Sequence, residues 1–258
     1  MLETNTLKEK LRQNNTCICV MTPFPSTGLT ELIGRSNVDA ICFDSEHGSL
    51  EISQIEDLAR TCELINVTPL CRIPFNRPEI VLRVMDAGVM GIVCPHIKTK
   101  EQVEELISYI KYPPVGNRGM AMTARAPGYI GYTVEEYTSK SNEETMVIIQ
   151  IEDYEGVENF ESIIEASGID AVFIGRNDLA LSMGYLGNVK APEVQKAINH
   201  VTELTLKAGL NLMIASDEIE GQTWVSAGAN IISINIVPAV RKKLTEAVKI
   251  LQSVNKTV

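Results

Sequence analysis

Four short segments of this chain end in side chains that can move protons, hold a cation or meet an anion. FDSEHG carries Asp44, Glu46 and His47; CRIPFN carries Arg72; IQIED carries Gln150 and Glu152; IGRND ends in Asp178. Glu152 and Asp178 can each give one oxygen to a hard divalent cation and leave most of an octahedron for water and substrate, as Mg2+ and Mn2+ sites often do. They can equally be partners in ordinary salt bridges. Gln150 lies two positions before Glu152, so in a strand both project to one side, where an amide can support a bound ligand. His47 carries an imidazole and follows two acids, which suits proton transfer, although a lone histidine is often structural. Arg72 follows an apolar run and precedes Pro74. A guanidinium there needs an anion, either a substrate carboxylate or developing enolate, or else Glu46 or Glu152. His96 opens PHIKTK, which runs into a helix start and reads as packing or capping, while His200 reads as a surface residue in a helical pattern.

These residues need a scaffold that brings strand ends together. Apolar, β-rich runs predict eight strands, at Cys17–Met21, Ala40–Asp44, Thr68–Ile73, Gly91–Pro95, Met146–Ile151, Ala171–Gly175, Asn211–Ile214 and Ile231–Ile234. Between and after them, 3.6-residue periodicity predicts helices at Leu29–Gly34, Ser53–Ile65, Pro78–Ala87, Lys100–Lys111, Gly156–Ala166, Pro192–Ala208, Glu218–Ala227 and Ala239–Val254. Pro78 and Pro192 stand near helix starts, and Gly88, Gly168, Gly209 and Gly228 just past helix ends. Strands separated by helices must run parallel with right-handed crossovers, and eight such units close readily into a (β/α)8 barrel. An open dinucleotide-binding sheet is the competitor, but MTPFPSTG has no G-x-G-x-x-G and no P-loop occurs anywhere. In a barrel, reactive side chains gather at the C-terminal strand ends, where all four segments fall. Residues 112–145 read as one long Gly- and Pro-marked connection whose Arg118 and Arg125 close over an anion, stay solvated or bridge subunits.

With 258 residues, 45% of them hydrophobic, the chain can bury a large core as a single domain spanning 1–258. The formal charge of −10 repels phosphate backbones and anionic lipid, so neither nucleic acid nor membrane is an expected partner. Six cysteines, all within the first 94 residues and without a C-x-x-C pair, read as buried thiols in a reducing compartment. No apolar run reaches membrane-spanning length and the start is polar, which fits a soluble cytoplasmic protein.

FDSEHG, the RIPFNRPEIVLRVMDAGVMGIVCPHIKTKEQ stretch, KYPPVGNRG, TARA, VIIQIED and DAVFIGRNDLALSMG followed by GNVKAPEVQKAI together resemble the HpcH/HpaI type of class II pyruvate aldolases, relatives of citrate lyase β-subunits and macrophomate synthase. The resemblance implies a (β/α)8 TIM barrel of the phosphoenolpyruvate/pyruvate-domain type whose C-terminal helix is exchanged between subunits, assembled as a homo-hexamer, a trimer of dimers. It implies a carbon–carbon lyase that cleaves a 4-hydroxy-2-oxo acid into pyruvate, or a related 2-oxo acid, and an aldehyde through a metal-stabilised enolate. Glu152 and Asp178 would hold Mg2+, Mn2+ or Co2+; His47 would transfer protons, in a dyad with Asp86 of a neighbouring subunit; Arg72 would stabilise the enolate. Gln150 would contact the pyruvate or a metal-bound water, the backbone amides of Asn177 and Asp178 would receive the pyruvate carboxylate, and Asp44 would support the site from behind. Departures are GRNDLA where the family usually has GPADLS, and Gly48-Ser49-Leu50 after DSEH, both bearing on substrate more than on chemistry. The rival readings are an acyl-CoA lyase with the same metal logic, and a barrel that binds a 2-oxo acid without turning it over. No Schiff-base lysine is called for, Lys98 and Lys111 being the nearest candidates.

Overall fold

The computed structural model describes residues 4–254. Eight parallel strands close in sequence order into one barrel: β1 (Cys17–Thr22), β2 (Ala40–Asp44), β3 (Thr68–Arg72), β4 (Gly91–Cys94), β5 (Met146–Ile151), β6 (Ala171–Ile174), β7 (Asn211–Ala215) and β8 (Ile231–Asn235), which pairs back onto β1. The strands are almost entirely buried because each has two apolar faces. Side chains alternate between two cores. Cys19, Cys42, Leu70, Val93, Ile148, Phe173 and Met213 fill the barrel, while Ile41, Phe43, Ile92, Val147, Ile149, Val172 and Ile214 face the helices.

The outer ring contains α2 (Thr27–Gly34), α3 (Ile52–Leu64), α4 (Pro78–Asp86), α5 (Lys100–Ile110), α10 (Pro192–Lys207) and α11 (Glu218–Ser226). The expected strands and most helices agree with these bounds to within two residues. The expected helix Gly156–Ala166 is instead two short pieces, α7 (Tyr154–Glu158) and α8 (Phe160–Ile163), interrupted at Asn159, whose amide Nδ2 donates to Lys98 O at 3.0 Å.

Three helices go beyond the sequence reading. The amphipathic turn α1 (Thr6–Arg12) buries Leu7 and Leu11 in the barrel interior and closes its N-terminal end. The connection at 112–145 is not structureless: it contains α6 (Val134–Glu144), opened by a Thr133/Glu136 capping box. Its polar sequence hides the periodicity, since its buried positions are Tyr137, Ser141 and Glu144. A short α9 (Arg176–Ser182) follows β6 directly. The final helix, α12 (Ile236–Val254), exposes Val237, Val240, Leu244, Val248 and Leu251, an apolar stripe at helical spacing.

Candidate active site

The strand alternation that fills the barrel also aims its charged tops. Counting by twos from Cys42 reaches Asp44, from Leu70 reaches Arg72, and from Ile148 reaches Gln150 and Glu152. Asp44 and Arg72 are register partners, and Arg72 grips Asp44 at both oxygens, Nε to Oδ1 at 3.0 Å and Nη2 to Oδ2 at 2.6 Å. Such a planar, two-pronged pair fixes the guanidinium. Its third nitrogen, Nη1, lies 3.2 Å from Glu46 Oε2. Asp44 Oδ1 also accepts the backbone N–H groups of Glu46 and His47, each at 3.2 Å, shaping the turn that follows β2. That turn needs Gly48: a Cβ there would collide with the Asp44 carbonyl and lie 3.1 Å from Pro23 Cα.

On the opposite side of the mouth, Glu152 is buried, and the Gln150 amide donates to its Oε2. The backbone N–H of His96 donates to Oε1 at 3.1 Å. Gly175 packs directly on this pair, a Cβ there falling 2.7 Å from Glu152 Cβ and 3.0 Å from Gln150 Nε2. Burial pushes the Glu152 carboxyl up to about 7, against the pull of Gln150 and His96 and with the charge of Glu46 adding to the rise. The His96 imidazole sits among three acids: Nε2 is 3.3 Å from Glu46 Oε1, and Nδ1 is 3.5 Å from Glu152 Oε1 and 2.9 Å from Asp153 Oδ2. Burial works against its positive charge, but the Asp153 hydrogen bond and the charges of Glu152, Asp153 and Glu46 prevail and raise its pKa.

The remaining expected site residues occupy several places. His47 is on the rim, its side chain 64% exposed and its Nε2 3.9 Å from Glu46 Oε2. Asn177 and Asp178 lie in the first turn of α9, just beyond Gly175. Asp86 ends α4, away from its own chain's mouth, and binds Arg118 Nη2 at 2.7 Å. Arg118 and Arg125 are both buried and paired, with Asp86 and Glu63 respectively, so the long connection is tied to α3 and α4. Arg176 is held by Glu220 and the Ala215 carbonyl and lies over the Trp224 ring at 5.4 Å. Lys98 pairs with Asp153 at 3.5 Å, and Lys111 is buried at the end of α5.

The cluster fits a cation. One ligand atom each from Glu46, His96 and Glu152 lies within 4.8 Å of the others, the group of three metal-capable side chains found among the described residues; Asp178 is outside it. Two buried oxygens at the mouth, Gln150 Oε1 and Glu46 Oε2, make no hydrogen bond, although the latter is ion-paired with Arg72. Native interiors rarely leave acceptors so placed, and an ion or ordered water is the usual partner. His96 is the residue sequence reasoning set aside. The signal that could have found it was its place just past a barrel strand, the criterion applied to His47.

Comparison with known proteins places this geometry. The family model described as HpcH/HpaI aldolase/citrate lyase matches residues 20–236. The chain belongs to the HpcH/HpaI aldolase/citrate lyase family. It is 32% identical over 206 residues to a 5-keto-4-deoxy-D-glucarate aldolase of Shigella dysenteriae, covering 80% of each chain. A crystal structure of an HpcH/HpaI aldolase/citrate lyase family protein from Burkholderia cenocepacia superposes with a TM-score of 0.89 at 27% identity, over 98% of this chain and all of that one. The citrate synthase SbnG shares the fold, with a TM-score of 0.89 at 24% identity over 98% of this chain and 100% of its own. Lyase chemistry at carbon–carbon bonds is thus the HpcH/HpaI family's ground, on a barrel that matches the one described here.

Proposed function

We propose that this chain is a divalent-metal-dependent aldolase that reversibly cleaves a 4-hydroxy-2-oxo acid into pyruvate, or a related 2-oxo acid, and an aldehyde. The observation that carries the reading is the barrel mouth itself: an arginine locked by Asp44, facing half-buried Glu46 and buried Gln150 and Glu152, with Gln150 Oε1 and Glu46 Oε2 making no hydrogen bond. Mg2+, Mn2+ or Co2+, held by Glu152 with Asp178, would supply Lewis-acid polarisation of the 2-oxo acid.

The chain's own residues supply the rest. Arg72, whose orientation Asp44 fixes, sets a positive charge where the enolate oxygen gains negative charge, which costs no reorganisation during the reaction. His47 takes the proton from the C4 hydroxyl in the cleavage direction, and Asp86 of a neighbouring subunit orients it. Gln150 contacts the 2-oxo acid, and the backbone N–H groups of Asn177 and Asp178 receive its carboxylate. The enolate of the departing pyruvate is then protonated at carbon. Assembly into a homo-oligomer, a hexamer built as a trimer of dimers with α12 exchanged, is supported by the exposed apolar stripe of that helix. A cytoplasmic setting is supported by six buried free thiols, and no described helix is long and apolar enough to cross a membrane.

Exchange of the pyruvate methyl protons in D2O, followed by NMR with Mg2+ or Mn2+ and again with EDTA, tests the reading without a guess at the aldehyde. Exchange that EDTA abolishes is expected. Absence of exchange with every metal would instead favour an acyl-CoA lyase or a barrel that only binds 2-oxo acids.

A further inference from the structure

The mechanism above gives no task to Glu46 or His96, yet both are built into the mouth. His96 lies two residues past the end of β4 with a left-handed backbone, φ +57°, which residues other than glycine adopt only at a cost. Strain of this kind persists where the surroundings enforce it, and here it accompanies a bond from the residue's own N–H to Glu152 Oε1 at 3.1 Å. It also sets the imidazole over the mouth, Nε2 toward Glu46 at 3.3 Å. When Nδ1–H donates to Asp153 Oδ2, 2.9 Å away, the neutral ring keeps its lone pair on Nε2. A carboxylate holding the far nitrogen in this way is how proteins orient imidazoles that bind metals.

The carboxylates match that arrangement. Glu46 Oε2 is buried and makes no hydrogen bond, its one close cation being Arg72 Nη1 at 3.2 Å, so the group is only part-satisfied. The three ligand atoms already lie within 4.8 Å of one another, and atoms around a six-coordinate ion with bonds of about 2.1 Å stand roughly 3–4 Å apart. Small side-chain rotations close the difference. Asp44, Glu46, Glu152 and Asp153 crowd the mouth against Arg72, which pairs with Asp44 and Glu46, and Lys98, which pairs with Asp153 at 3.5 Å; a further cation among them relieves their mutual repulsion.

We propose that His96 and Glu46 are metal ligands in this protein, joining Glu152, so that its cation is bound partly through nitrogen. The proposal rests on the metal-dependent reading above and sharpens it. An imidazole ligand favours Mn2+ and Co2+ over Mg2+, which prefers oxygen alone.

Pulsed EPR of the full chain loaded with Mn2+ tests it directly, because a bonded imidazole imprints nitrogen-14 couplings on the ion. Wild type should show them. His96→Asn, chosen because asparagine tolerates the left-handed conformation, should lose them and bind Mn2+ about tenfold or more weakly by isothermal titration. Mg2+ affinity should fall less. Bound Mn2+ lacking nitrogen couplings in wild type, or couplings that survive in His96→Asn, would overturn the proposal and leave the aldolase reading intact. Failure of wild type to bind Mn2+, Co2+ or Mg2+ at all would overturn that reading too. The wild-type spectrum decides even if the variant folds poorly.

Discussion

The two ends of the barrel bury similar polar side chains and treat them differently. At the N-terminal end the groups satisfy one another, Arg118 Nε excepted. Asn5 donates its amide to the Glu144 carbonyl at 2.8 Å and its backbone N–H to the Glu144 side chain at 2.5 Å, and Leu7 N–H meets Thr68 Oγ1 at 3.1 Å. Lys111 spends its ammonium on the carbonyls of Asn142 and Thr145, each at 2.7 Å, and on Thr145 Oγ1 at 3.1 Å. At the C-terminal end, acids crowd around Arg72 and His96, and Gln150 Oε1 and Glu46 Oε2 make no hydrogen bond. A saturated network closes a barrel, whereas an unsaturated one is prepared for something that arrives.

Substitutions at either end should separate these roles. Glu152→Ala and Asp178→Ala are expected to lower metal-dependent pyruvate proton exchange the most, by about 10³-fold or more, consistent with losing several kcal/mol of electrostatic stabilisation. Their far-ultraviolet circular dichroism should stay that of wild type; a double variant with full activity would remove the metal assignment. Arg72→Met should cost about 10²–10³-fold in kcat, read by steady-state aldol kinetics. His47→Ala should impair aldol cleavage while metal affinity, followed by calorimetry, is held. At the other end, Leu7→Ala should lose ~2–5 kcal/mol in denaturant unfolding and leave kcat near wild type. Unchanged stability there would mean that α1 is no plug.

The smallest effect is a pH dependence at the closed end. Burial, aided by the charge of Lys8, lowers the Lys111 pKa to about 8. The unfolded chain, with an ordinary lysine near 10.5, therefore binds more protons than the native state between those values. Stability carried by this group rises as pH climbs through that window and is least below pH 8. Unfolding of wild type relative to Lys111→Met should shift in favour of wild type between pH 7.5 and 9.5; a flat difference would count against the burial effect.

The barrel was legible because its strands are apolar on both faces and its helices carry period and punctuation. Asp44, Arg72, Gln150 and Glu152 were legible as a group because strand alternation fixes the side to which each points. His96 was not, since its direction depends on one left-handed residue after the strand, and nothing in PHIKTK announces that turn. Glu46 lies in a loop beyond β2, where alternation no longer predicts orientation. The helices α1, α6 and α9 were missed because each is short or largely polar, and only packing against the barrel shows their apolar positions.

The barrel's cysteines have a practical corollary. All six are buried and free, and burial raises Cys17 to about 11 and Cys19 and Cys71 to about 12. Cys42, Cys62 and Cys94 move in the same direction for the same reason. At neutral pH such thiols are almost wholly protonated and therefore slow to alkylate or oxidise. They become reactive only when the fold opens, so the rate at which a maleimide consumes them is an internal clock for unfolding, sited in β1 to β4 and, at Cys62, in α3.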